Sequence, residues 1–227
     1  MKRLLIVSNR LPVTVSKRAG KFEFKRSVGG VATGLSAYHK DSDSLWIGWP
    51  EIPAARLQPE ERESIRETLE TEQGCVPVFL TQADVQDFYF GFSNRTLWPL
   101  FHHFNESVEY DKRTWTAYER ANRKFCDAVL EVARPDDTIW VQDYQLMLLP
   151  QMLREHLPDA SIGFFLHIPF PCYEVFRALP WRREILEGLL GADLVGFHTY
   201  DYVRYFLGSV NNICGIDDQF GRLNVGE

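Results

Sequence analysis

Cysteines at metal-binding spacing are missing from this chain. Cys75, Cys126, Cys172 and Cys214 stand far apart, with no CxxC among them. That spacing argues against a structural zinc site and a disulfide framework, and it fits a reducing compartment. Basic blocks are missing too. Lys and Arg number 25 against 31 Asp and Glu, a net charge of -6, so nucleic acid is not an expected partner. No apolar run approaches the length that crosses a membrane. Leu4 to Val7 is too short for a signal peptide and is closed by Ser8-Asn9-Arg10. A cytoplasmic protein with no membrane partner is the expectation. Gly29-Gly30 with Gly34 does not make a GxGxxG, and a hairpin pattern separates it from the first strand, which speaks against a Rossmann dehydrogenase. The pair His102-His103 has diverging side chains and no carboxylate at ligand spacing, so it reads as structural and no metal is expected. No internal repeat, low-complexity segment or linker occurs before Asn211.

What the chain does have is apolar and aromatic residues, 45% and 14% of 227. That is enough for one large domain with a sizeable core, or for two small ones. Aromatic residues beside polar ones often line carbohydrate sites, although buried structural aromatics explain most such neighbours. Compact apolar runs read as core strands at Arg3–Val7, Leu45–Trp49, Val76–Leu80, Thr138–Val141, Ile162–Leu166 and Ala192–Gly196. Pro12–Ser16 and Phe22–Arg26 alternate around Ala19-Gly20, a hairpin pattern. Helical spacing covers Val31–His39, Pro59–Glu70, Thr114–Val132, Leu146–Leu157, Val175–Leu190 and Tyr200–Val210. Within Thr114–Val132 the stripe Trp115, Tyr118, Phe125 and Val129 reads as core-facing. Strands alternating with helices predict an α/β fold, a Rossmann-like parallel sheet with helices on both faces, over residues 1–210. Residues 211–227 read as an irregular tail leading toward an absent second domain.

Several of the predicted strands end in polar residues: Ser8-Asn9-Arg10, Gln142-Asp143 and His167. In a parallel sheet those ends share one edge, where ligands bind. An arginine there can hold phosphate with its fork of donors. An aspartate can orient sugar hydroxyls or take a proton, and a histidine can donate to a hydroxyl or to developing charge. Taken singly, Arg10 reads first as an ion-paired surface residue and Asp143 as the N-cap of the next helix. Gly29-Gly30 stands at a predicted helix start, where free N–H groups favour anions. Together these ends point to an anionic, hydroxylated ligand. Pro169 and Pro171 stiffen the loop after His167 into one wall of such a site.

The segments SNRLPV, VGG, WIGW, FSNRTLWP, WVQDYQLMLLP and GFFLHIPFPCYEVFRALPWR resemble the amino-terminal half of trehalose-6-phosphate synthases, from about Lys2 to Leu207. That family is similar to other retaining two-domain glycosyltransferases of the GT-B type, which need no metal. The resemblance implies an acceptor-side domain of an enzyme that transfers glucose from UDP-glucose to glucose 6-phosphate with retention, and no cofactor beyond that nucleotide-sugar co-substrate. It implies that Arg10 holds the phosphate of glucose 6-phosphate, that Tyr89 and Trp98 shape the acceptor pocket with Trp49 supporting the wall, and that Asp143 binds acceptor hydroxyls. Gly29 and Gly30 then admit the donor diphosphate. His167 contacts the donor sugar and assists transfer, with Ile168 lining the face where the acceptor approaches. His167 and Asp143 are the catalytic candidates.

Two positions depart from the family's pattern. Gln142 and Gln145 stand where histidines are common, which keeps hydrogen bonding and removes titration. Cys172 stands where a small residue or proline is common and reads as packing. The family's remaining donor-binding groups lie beyond residue 227, so the chain alone is expected to bind glucose 6-phosphate weakly and to transfer nothing. The resemblance leaves two alternatives open, the matching half of a glucosylglycerol-phosphate synthase and a non-catalytic regulatory domain of the same fold. A homo-oligomer is compatible with all three.

Overall fold

A computed structural model describes residues 3–27, 30, 34, 35, 39 and 43–225. Six parallel strands form its sheet: β1 (Leu4–Arg10), β4 (Ser44–Trp49), β5 (Cys75–Pro77), β6 (Thr138–Gln142), β7 (Ser161–Phe165) and β8 (Leu194–Gly196). They lie in the order β5-β4-β1-β6-β7-β8. Numbered by their place in the sheet's own chain order, this is the 3-2-1-4-5-6 arrangement of a Rossmann sheet, whose direction of winding reverses between β1 and β6. Strand β1 is buried along Leu5–Asn9, as a central strand covered on both faces must be.

Alternation along β1 sends its side chains to two cores. Leu5 and Val7 join Ile47 and Val141 beneath α2 (Lys112–Val132), whose predicted stripe of Trp115, Tyr118, Phe125 and Val129 is buried in full. Ile6 joins Trp46 and Cys75 on the other face, against Ile65 and Leu69 of α1 (Pro59–Gln73). The first core also takes α3 (Leu149–His156), α4 (Arg182–Leu190) and α5 (Tyr200–Cys214). Of the predicted helix Val31–His39, residues 34, 35 and 39 are helical, as is Gly30 before it; the others, and Gly29 before it, lie outside the described residues.

The predicted hairpin is β2 (Val13–Arg18) with β3 (Lys21–Arg26). Its turn residues Ala19 and Gly20 have φ of 46° and 80°, the sign a two-residue type I′ turn requires at both positions.

The structure departs from the sequence reading in four places. The helix expected over Val175–Leu190 is a single turn at Tyr173–Phe176 followed, after a break, by α4. Pro180 sits in the break, where it offers no N–H and bars helical geometry from the residue before it. Leu146–Leu157 begins instead as a tight turn at Tyr144–Leu146, with α3 starting at Leu149. The last helix runs on to Cys214, stopped by Gly215 at φ 75°. A two-stranded hairpin, β9 (Asp218–Gln219) with β10 (Arg222–Leu223), follows it. The fourth departure, at Val85–Leu97, belongs to the site.

β1 is not regular where it matters. Its register against β4 shifts between Val7 and Arg10, a bulge that re-aims the Ser8-Asn9-Arg10 end. Gly48 of the WIGW segment accommodates the bulge. A Cβ there would stand 2.9 Å from both Leu11 N and Ser8 O, and backbone atoms cannot yield cheaply. Gly48→Ala is expected to cost about 2 kcal/mol, the usual scale of overpacking. Thermal unfolding would read this as a lowered Tm, and an unchanged Tm would show that the bulge is not held there.

Candidate functional site

The site is built at the carboxyl edge of the sheet, on either side of the β1/β6 reversal. Arg10 ends β1 with its guanidinium 5.0 Å over the Tyr89 ring and Nη2 donating to Tyr89 Oη at 3.1 Å. Its counter-charge is Glu51, 3.6 Å away, a residue held at φ 62°. Both side chains keep contact with solvent, 40% for Arg10 and 25% for Glu51. The fork is therefore steered by an aromatic ring yet open to an incoming anion.

Tyr89 belongs to the segment that sequence pattern missed. Val85–Leu97 is wound as a π-helix, closed by Trp98 N–H donating to Ser93 O. Its entry is clamped by Asp84, 1% exposed, whose carboxylate takes Arg120 Nε at 2.9 Å and Lys124 Nζ at 2.5 Å from α2. Burial alone would raise the Asp84 pKa, but hydrogen bonds from Lys124, Thr81 and Arg120 hold it down at about 2. At the far end Trp98 is 40% exposed and stacks on His102 at 4.1 Å and on Phe104 at 5.9 Å. His102 Nδ1 also stands 2.7 Å from Trp98 O, so the histidine packs against the tryptophan as a structural residue.

Asp143 follows β6 with φ 74° and ψ 169°, a region of backbone space that only glycine occupies without strain of about 1–3 kcal/mol. Hydrogen bonds on both sides hold it there: its N–H donates to Phe165 O at 2.8 Å, and its carbonyl accepts from Leu146 N at 3.1 Å. The side chain makes no helix-capping bond. Its Oδ1 accepts from His167 N at 3.1 Å instead, tying the ends of β6 and β7. Burial pushes the carboxyl up to about 6, while N–H groups of Tyr144 and His167 and the charges of His198 and His102 pull the other way.

Helix α2 fixes this turn from behind. Tyr118 Oη donates to Tyr144 O at 2.7 Å and accepts from Met147 N at 3.0 Å. Asn122 Nδ2 donates to Gln145 O at 3.0 Å. Tyr144 Oη donates in turn to Asn94 Oδ1 at 2.9 Å, linking the VQDY turn to the FSN motif of the π-helix.

His167 opens the proline-stiffened loop. Its Nε2 lies 2.9 Å from Gln142 Oε1, and Gln142 Nε2 faces Trp140 O at 3.4 Å. With the amide oriented so, the imidazole carries its proton on Nε2 and leaves Nδ1 as an acceptor. Burial, with His198 nearby, pushes its pKa down to about 4, so the ring is neutral at physiological pH. Gln142 sets that tautomer without titrating itself.

The other expected residues are placed less directly. Trp49 is buried at the end of β4, where its Nε1 donates to Ile52 O, and it backs the wall rather than lining it. Ile168 turns into the apolar core, so His167 is the member of its pair that faces the edge. Gly30 is exposed with no atom within 4 Å of a Cβ, and Gly29 lies outside the described residues. Among the described residues no group of three or more His, Cys, Asp or Glu could hold a metal ion. No helix among them is long and apolar enough to cross a membrane, and the four cysteines are free.

The sequence pattern of glycosyltransferase family 20 matches residues 2–225. The chain belongs to that family. An alpha,alpha-trehalose-phosphate synthase of Dictyostelium discoideum is 47% identical over 216 residues, which are 95% of this chain and 29% of that protein. A UDP-forming alpha,alpha-trehalose-phosphate synthase from Burkholderia xenovorans, solved in complex with glucose-6-phosphate, superposes with TM-score 0.79 at 33% identity, over 97% of this chain and 48% of that one. A structure from E. coli bound with UDP-2-fluoro glucose gives TM-score 0.78 at 31% identity, over 96% of this chain and 44% of that one. The chain therefore spans less than half the length of each. Its fold is the Rossmann-like unit of these GT-B proteins.

This family 20 chain adds one residue to the edge that sequence reasoning passed over. His198 follows β8 as His167 follows β7, and the two rings stand 5.8 Å apart. The rule that picked out the ends of β1, β6 and β7 would have found it had it been applied to β8. Two buried acceptors without a partner, Asn9 Oδ1 and Ser93 Oγ, lie in the SNR and FSN motifs. Groups of that kind cost about 1–3 kcal/mol each.

Proposed function

We propose that this chain is the acceptor-side domain of an alpha,alpha-trehalose-6-phosphate synthase, the enzyme that transfers glucose from UDP-glucose to glucose 6-phosphate with retention. One observation carries the reading: Arg10, Tyr89, Asp143 and His167 meet at one sheet edge around the β1/β6 reversal in a family 20 fold. Arg10 receives the acceptor phosphate. Trp98, 40% exposed, offers aromatic surface to a pyranose. Asp143, ionised above about pH 6, accepts from the sugar hydroxyls. Neutral His167 presents Nδ1 to a hydroxyl of the donor sugar and is no proton donor at pH 7.

In the transfer, the C1–O bond to UDP breaks as the acceptor hydroxyl bonds to C1 on the same face. The hydroxyl proton passes to the leaving diphosphate oxygen. These side chains act by positioning and by fixed dipoles, and the chemistry needs no cofactor. The chain spans less than half the length of the relatives above, and by itself it is expected to bind acceptor without transferring glucose.

Calorimetric titration of the chain with glucose 6-phosphate tests this. Saturable binding is expected, weakened about ten- to a hundredfold in Arg10→Ala, the scale of losing charge-assisted hydrogen bonds. Tighter binding of glycerol 3-phosphate than of glucose 6-phosphate would favour a glucosylglycerol-phosphate synthase. Binding of neither would favour a non-catalytic domain.

A further inference from the structure

Tyr89 and Trp98 are nine residues apart. At the 3.6 residues per turn of an α-helix that separation is two and a half turns, which puts two side chains on opposite faces. The i→i+5 bonding of a π-helix takes roughly 4.4 residues per turn, so nine residues come round to the same face after about two turns. In this chain the wide winding runs from Val85 to Leu97 without a break. The winding accordingly sets the two rings on one face of the segment. Tyr89 lies over Arg10 at the end of β1, and Trp98, at the close of the winding, is 40% exposed and stacks on His102.

Runs of π-helix longer than a turn are rare, and this one is held from outside at three points. Asp84 anchors its start to Arg120 and Lys124 of α2. At its middle, Gly91 lies so close to α2 that a Cβ would stand 2.8 Å from Thr114 Cγ2. At its end Pro99 has no N–H to continue the ladder, the Arg95 carbonyl accepts from Glu109 N at 2.9 Å, and Thr96 Oγ1 donates to Glu109 O at 2.5 Å. Neither Asp84, Gly91 nor Thr114 touches the acceptor edge.

We infer that the π-helical winding of Val85–Leu97 sets acceptor specificity, with Asp84 and Gly91 as positioning residues that hold Tyr89 and Trp98 in register on one face. The inference rests on the acceptor reading above and adds what spaces the aromatic side chains of that site. Loosening the winding displaces the aromatic walls relative to Arg10, so a hexose phosphate loses more than a small phosphate ester does.

The experiment titrates the chain with glucose 6-phosphate and with glycerol 3-phosphate, alongside a thermal melt. In Gly91→Ala the added methyl presses on Thr114. Affinity for glucose 6-phosphate is expected to fall about tenfold, which is ~1.4 kcal/mol, with little change for glycerol 3-phosphate. Thr114→Ser removes the obstructing methyl and keeps the hydroxyl that donates to Asp111 O. Gly91→Ala/Thr114→Ser is therefore expected to recover both the affinity and the preference. Asp84→Asn loosens the same segment from its other end and should shift the preference in the same direction, including when Gly91→Ala alone does not fold. Unchanged preference in Asp84→Asn and in whichever Gly91 variant folds overturns the inference, as does equal loss for both ligands without recovery in the double variant. An unaltered chain that binds neither ligand overturns the acceptor reading and this inference with it.

Discussion

At pH 7 the Asp143→Gly variant is expected to melt above the unaltered chain while losing glucose 6-phosphate. Two burdens at this residue make it so. The backbone occupies a region where a side chain costs about 1–3 kcal/mol, and glycine removes that strain at the expense of roughly 0.5–1 kcal/mol of extra chain entropy. The carboxyl is also held in surroundings that raise it to about 6 from 3.8. A carboxyl raised in this way contributes stability that is present below its unfolded value and lost as pH climbs through 6. At pH 7 the folded chain therefore bears the cost of an ionised, poorly solvated carboxylate, on the order of 2 kcal/mol. Against these gains stands the hydrogen bond from His167 N, about 1 kcal/mol.

Asp143→Ala separates the two burdens, since it removes the charge and keeps the strain. The glycine variant should exceed the alanine variant by about 1 kcal/mol, or 2–4 °C in Tm for a domain of this size. At pH 4.5 the parent carboxyl is mostly protonated, so the alanine variant should lose its advantage there while the glycine variant keeps part of its own. Titration calorimetry should find acceptor binding weakened in both. An alanine variant as stable as the glycine variant would remove the case for strain, and acceptor binding retained in both would remove the case for Asp143 as a ligand.

Arg3→Met should do the opposite and destabilise the chain by about 3–5 kcal/mol, the cost of leaving one member of a buried ion pair without its partner. Arg3 Nε and Nη2 meet the two oxygens of Asp137 at 3.0 and 2.6 Å, and Nη2 also donates to Val132 O. The side chains are 9% and 4% exposed. Burial alone would raise the Asp137 pKa, but hydrogen bonds from Arg3 and from Arg134 N–H keep it below the usual value. Stability from a depressed carboxylate is present above its unfolded pKa and lost as pH falls through its folded one. The difference between parent and variant should therefore be widest near pH 7 and narrower at pH 3, as acid removes the charge from the Asp137 left without its partner. Asp137→Asn in the Arg3→Met background should recover part of the loss. Thermal melts at the two pH values decide, and a loss independent of pH would mean that packing of the arginine stem, not its charge, holds the strand ends.

How far sequence pattern reached follows from what each element offers to it. Parallel strands buried on both faces appear as short apolar runs between turn residues, and all six fall where such runs stand. The Arg10, Asp143 and His167 ends could be found because strand ends in a parallel sheet share an edge whatever their separation along the chain. The π-helix could not, because helical and strand templates test periods of 3.6 and 2, and its wide winding matches neither. Its motif FSNRTLWP marked the segment through resemblance, not periodicity. The strain at Asp143 is likewise silent, since an aspartate has the same letter at any φ. The break before α4 was within reach through Pro180. His198 stood in plain view after the last strand.

The central position of β1 has a consequence during synthesis. The strand is made first, yet its β6 partner lies about 134 residues further along the chain, the separation of Arg3 from Asp137. At roughly 5–20 residues per second the ribosome needs about seven to twenty-seven seconds to supply it. For that interval a strand buried along Leu5–Asn9 in the finished sheet has at most one neighbour, β4, and an open edge where β6 will dock. The two halves of the ligand edge, Arg10 on one strand and Asp143 on the other, are joined only when that edge closes, so closing the sheet and forming the site are one event.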